Sequence, residues 1–197
     1  DDRRRPLYRT GHGIRAPAGT VMGVSSFQVH ISDHDIVTPG DTPNVLIAMN
    51  PAALVANLGD MSPGSTLIVN SDSFTERDLD KAHCESNPLE DGSLDAFTVY
   101  QVPMTSITLE ATKPLGVKGR DAERSKNFFA LGLVCWMYTR PVAPLLEWID
   151  TNFAKKPLVR DANSAAFKAG RNFGETAELF EHPYEVKPAS LPPGTYR

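Results

Sequence analysis

Two unbroken apolar runs, NVLIAM (Asn44–Met49) and STLIVN (Ser65–Asn70), flank a short segment that opens on Asn50-Pro51 and closes on Gly59 and Pro63-Gly64. A strand without polar alternation is one covered on both faces, as strands of parallel sheets are. Asn50 is a good helix cap, and Pro51 suits the first helical position, where no N–H is needed. The segment therefore reads as strand, tight turn, helix, strand. A crossover helix between two such strands makes them parallel neighbours. The fold class that follows is α/β.

The flanking sequence extends this reading. VSSFQVHI (Val24–Ile31) alternates, with an apolar face from Phe27 through Val29 to Ile31, and Asp35–Val37 begins a short partner strand after the Ser32-Asp33 turn. TVYQVP (Thr98–Pro103) supplies a further strand. The second half is helical: Met104–Leu115 broken by Pro114, Asp121–Thr139, Pro144–Phe153, and Pro157–Ala169 stopped by Gly170. In Asp121–Thr139 the stripe Phe128, Leu131, Val134, Cys135 and Tyr138 is expected to be the buried face. The expectation is a three-layer α/β sandwich with a mainly parallel sheet, a helical second half and an extended Pro-rich C-terminal arm. Residues 1–13 show no strand pattern and read as a disordered segment; 175–197 form the arm.

Composition excludes several function classes. The 197 residues carry 20 Lys+Arg against 24 Asp+Glu, a formal charge of −4, so nucleic acid is not expected as a partner. The apolar stretches Val45–Gly59 and Asn127–Thr139 fall short of the ~20 residues that cross a bilayer, so no membrane is expected. Two cysteines, Cys84 and Cys135, make neither a disulfide framework nor a metal site, which points to a reduced, cytoplasmic setting.

Familiar catalytic signatures are absent: there is no GxSxG, no phosphate loop, no GxGxxG, no HExxH and no CxxC. His30 and His34 flank a turn and read as turn residues before metal ligands. Asp72, Glu76, Asp78 and Asp80 read as a helix start and a solvated face. The Asn50-Pro51 turn and the Asn70-Ser71-Asp72 turn end adjacent strands, where open α/β sheets bind ligands; capping and turn formation is the favoured alternative for both. Arg15 is the only charge in IRAPAGT (Ile14–Thr20), suited either to a carboxylate or phosphate or to a salt bridge.

IRAPAGT…GVSSFQ, NVLIAMNPAAL, TLIVNSD, NPLEDGSLD, RSKNFFALGL and FAKKP…AN…KAG occur in that order from Ile14 to Gly170. Together they resemble the gamma domain of 2-oxoacid:ferredoxin oxidoreductases, most closely the 2-oxoglutarate type in which gamma is fused ahead of alpha. LPPGTYR (Leu191–Arg197) looks like the linker into that alpha domain. The resemblance implies a gamma domain over 14–174, shortened at its N-terminus because no strand, glycine-rich turn and helix precede it. It implies a complete enzyme that decarboxylates a 2-oxoacid on thiamine diphosphate with Mg²⁺, passes electrons through a 4Fe-4S cluster to ferredoxin, and forms an acyl-CoA. On this view the alpha and beta domains hold those cofactors, and this chain binds none and carries no catalytic residue. Arg15, Ser25, Ser26 and Asn50 are its candidates for a surface near substrate or CoA. The alternative is a non-catalytic interaction module, or an orphan fragment of such an enzyme.

Overall fold

The structure is a computed structural model that describes residues 12–14, 24–30, 42–177 and 184. Two short strands, β1 (His12–Ile14) and β2 (Ser26–Gln28), pair antiparallel with Gly13 opposite Phe27. Three further strands, β3 (Val45–Ala48), β4 (Thr66–Asn70) and β5 (Thr98–Val102), form a parallel sheet in the order β3-β4-β5.

The crossover from β3 to β4 is helix α1 (Pro51–Leu58), and it begins where the sequence places it. The Asn50 side-chain oxygen accepts the N–H of Ala53 at 2.8 Å, Pro51 occupies the first turn, and Gly59 follows the last residue. A cap of this kind contributes about 1 kcal/mol. Helix α2 (Glu76–Lys81) leads into a turn-rich stretch and then β5. The remaining helices are α3 (Met104–Thr112), α4 (Arg120–Arg124), α5 (Lys126–Met137), α6 (Ala143–Asn152) and α7 (Pro157–Thr176).

Strand alternation divides the core into two layers. Leu67 and Val69 pack with Ala48, Leu54, Met61 and Leu94 on the α1 face. Ile68 and Val102 pack with Met104, Phe129, Leu133, Met137 and Ala166 on the face covered by α3, α5 and α7. Helix α6 adds Ile149 against Cys135 and Phe167 behind α5 and α7. This is the expected three-layer sandwich with a helical second half. Among the described residues no helix is long and apolar enough to cross a membrane.

Five expectations are corrected. Residues 1–13 show no strand pattern in the sequence, yet His12 and Gly13 lie in β1; three residues without alternation leave no periodic signal. The apolar face assigned to Phe27, Val29 and Ile31 does not extend to Val29, which is 42% exposed because pairing stops at Gln28. Asp121–Thr139 is two helices. Ser125, at the break, is buried and donates its hydroxyl to Asn163 Oδ1 at 2.9 Å. A serine that bonds elsewhere competes with the helix ladder. The deeply buried face of α5 is Phe129, Ala130, Leu133 and Met137, whereas Phe128, Leu131, Val134 and Tyr138 are half-buried and Cys135 is buried with the α6 cluster. The helix is apolar on most of its circumference because it is enclosed on most sides.

The fifth correction concerns Gly170, which ends nothing: α7 continues to Thr176, two residues into the expected arm. A Cβ on Gly170 would run into the main-chain carbonyl of Phe129, and one on Gly132 into that of Phe167. Glycine at these two points lets α5 and α7 cross backbone to backbone. Of the arm beyond residue 177, only Tyr184 is described: its ring stacks on Tyr138 at 5.1 Å and its N–H is donated to the Met137 carbonyl at 2.7 Å. The strand expected at Asp35–Val37, like Arg15, His34 and the rest of the arm, lies outside the described residues.

The two cysteines have different fates. Cys135 is 3% exposed and burial pushes its thiol from 9.0 up to about 11, while Tyr138 is raised to about 12 for the same reason. Burial disfavours the thiolate, so these groups favour folding fully below their unfolded values; that contribution is lost as pH rises through about 11 and 12. Because Cys135 is closed off from solvent, a thiol-reactive dye at pH 8 should count one cysteine in native protein, the half-buried Cys84, and two after denaturation. Denaturant midpoints should fall between pH 9 and 11.

Candidate functional site

The carboxyl ends of β3, β4 and β5 are where a ligand would be expected, and the structure fills that edge with mutual hydrogen bonds. Asn70, the last residue of β4, is fully buried. Its amide nitrogen faces Ser73 Oγ at 2.8 Å, Thr105 Oγ1 at 3.0 Å and the Met49 carbonyl at 3.4 Å. Its side-chain oxygen accepts the Thr105 N–H at 3.3 Å. One side chain thus ties the end of β3, the turn after β4 and the first turn of α3. Two residues on, Asp72 accepts the N–H of Ser106 at 2.7 Å and the Ser106 hydroxyl at 3.0 Å. That carboxylate caps α3 from a neighbouring turn, where the orphan N–H groups and helix dipole favour negative charge. Asn50 is occupied by its own cap.

The edge is therefore a clasp. Both Asn50 and the Asn70-Ser71-Asp72 turn take the capping and turn-forming role. Thr105 and Ser106, which complete the clasp, carry no signal in the sequence because their partners lie 35 and 34 residues away, respectively.

The other candidates are not brought together here. Ser25 is exposed and Ser26 half-buried, both at the β1–β2 sheet, which is separate from the β3–β5 sheet. Glu76 and Asp78 lie in the first turn of α2, beneath the Thr75 cap, as a helix start should. The Lys81 ammonium at 2.6 Å holds the Asp78 carboxyl below its ordinary range. Among the described residues no three His, Cys, Asp or Glu side chains converge as a metal site.

Architecture and clasp define a class: a three-layer α/β domain whose carboxyl edge is closed by its own polar side chains. The family model described as pyruvate ferredoxin/flavodoxin oxidoreductase matches residues 16–173, and the chain belongs to that family. It is 54% identical over 184 residues to the 2-oxoglutarate oxidoreductase subunit KorA of Mycobacterium tuberculosis, an alignment that covers 93% of this chain and 28% of the relative. The chain thus matches little more than a quarter of that relative's length. A structure of the 2-oxoglutarate:ferredoxin oxidoreductase from Magnetococcus marinus, with 2-oxoglutarate, coenzyme A and succinyl-CoA bound, superposes with a TM-score of 0.59. That match has 23% identity and covers 83% of this chain and 25% of the other; it shows a shared fold.

Proposed function

We propose that this chain is the gamma-domain part of a 2-oxoacid:ferredoxin oxidoreductase that acts on 2-oxoglutarate, forming an acyl-CoA with reduction of ferredoxin. The observation that carries the reading is 54% identity across nearly the whole chain to a 2-oxoglutarate oxidoreductase subunit. Catalysis belongs to the assembly, with alpha and beta parts as partners.

The chemistry of the side chains supports that division of labour. A 4Fe-4S cluster takes four thiolates, and the sequence has two cysteines, of which Cys135 is buried with its thiol held neutral. The cluster is accordingly assigned to the other parts, and the reading places thiamine diphosphate and Mg²⁺ there with it. What this chain contributes is a rigid wall: a sheet locked to α3 by Asn70 and Asp72. Within this reading exposed Ser25 is available to a surface near CoA, while the side-chain oxygen of Asn50 is already used.

The reading is tested by co-producing the chain with alpha and beta parts and comparing 2-oxoacids in a CoA-dependent dye-reduction assay. Turnover with 2-oxoglutarate well above that with pyruvate is expected. Equal turnover, or preference for pyruvate, would overturn the substrate assignment.

A further inference from the structure

A groove of about 340 Å³ runs beside β5 on the α1 face of the sheet, lined by Leu89, Leu94, Phe97, Val99, Asp95 and Gln101. β5 is the last strand of its sheet, and among the described residues it pairs only with β4. Thr98 donates its N–H to the Ser65 carbonyl at 3.0 Å, on the β4 side. Backbone groups alternate along a strand, so the N–H and C=O of Val99 and Gln101 point to the outer edge. Their side chains are the two from β5 that line the groove. The same two residues therefore offer main-chain hydrogen bonds and the groove floor.

Charge indicates what would fit. Asp95 is the charged residue of the groove's lining, and Glu90 and Asp91 lie in the same turn. Glu90, Asp91 and Asp95 are exposed around the groove's turn. Asp91 is engaged in that turn, accepting from Ser86 Oγ and from the Ser93 N–H at 2.9 Å. Asp95 takes no hydrogen bond from another described residue and is free to meet a ligand.

We infer that β5 and this groove receive an extended, basic peptide segment of a partner polypeptide, added as a further strand. Main-chain bonds to Val99 and Gln101 would hold it, and a flanking Lys or Arg would face Asp95. The inference stands on the groove, the edge and the charge, independently of the enzyme assignment.

The test uses the ¹⁵N-labelled full chain and two synthetic capped peptides, Lys-Val-Lys-Val-Lys and Glu-Val-Glu-Val-Glu. With the lysine peptide the Val99 and Gln101 amide signals should shift and exchange more slowly, and the glutamate peptide should leave them unmoved. Asp95→Lys, with an unchanged melting temperature, should weaken the lysine peptide about fivefold, the loss of one exposed ion pair. Unmoved Val99 and Gln101 signals, equal response to both peptides, or protection of these amides in a peptide-free dimer would each overturn the proposal.

Discussion

Gly170→Ala should destabilise the protein by about 2–3 kcal/mol, although alanine is the better helix former by about 1 kcal/mol. The added methyl meets main chain, the Phe129 carbonyl and its Cα, which no rotamer change can move aside. Helices α5 and α7 would have to separate, and with them Phe129 and Leu133 on one side and Ala166 and Phe167 on the other, all of them buried. In a chain of this size the melting temperature should fall by roughly 5–10 °C. Gly59→Ala is the matched control: the φ there is −64° and nothing lies within 4 Å of an added Cβ, so stability should stay within about 0.5 kcal/mol. Calorimetry on the two variants decides the matter; similar melting temperatures would mean the crossing is looser than described.

Asn70→Ala should cost about 2–4 kcal/mol, with the loss visible at both the sheet and α3. It removes the acceptor of the Thr105 N–H and the donor near Met49, Ser73 and Thr105, at a site with no access to water. Asn70→Asp separates the two halves of that role. A carboxylate still accepts from Thr105, yet it can donate to none of the three oxygens while ionised. Burial raises the carboxyl's folded pKa, so this variant should be closest to the parent at acidic pH and lose stability as pH rises through that value. Denaturant unfolding from pH 4 to 8 would show it. A flat profile would mean that Asn70's donor bonds contribute little.

These two sites also mark where sequence reading succeeds and stops. The β3-α1-β4 unit is legible because its signals are local: two apolar runs, an Asn-Pro start and a Gly stop. Asn70 is legible as a turn residue but not as a clasp, because Met49 and Thr105 lie 21 and 35 residues away. Gly170 misleads because glycine has two uses, ending a helix or admitting a neighbour. The discriminating signal was present: Ala162, Ala166, Gly170 and Gly174 recur every four residues, a ridge of small side chains that faces another helix. Apolarity on most sides of α5 likewise indicates enclosure and cannot show which face is deepest.

The groove beside β5 illustrates the same limit. NPLEDGSLD is conspicuous in the sequence as a turn-rich, acidic stretch, while the groove exists only once Leu89 and Leu94 fold against Val99.

We propose that this chain completes a 2-oxoglutarate oxidoreductase. The most direct measurement is the CoA-dependent rate of 2-oxoglutarate-driven dye reduction by alpha and beta parts, with and without stoichiometric chain. The rate should rise to a plateau at one chain per alpha–beta unit, with a weaker rise for Gly170→Ala. A rate indifferent to the chain, with the chain folded and present in excess, would contradict it.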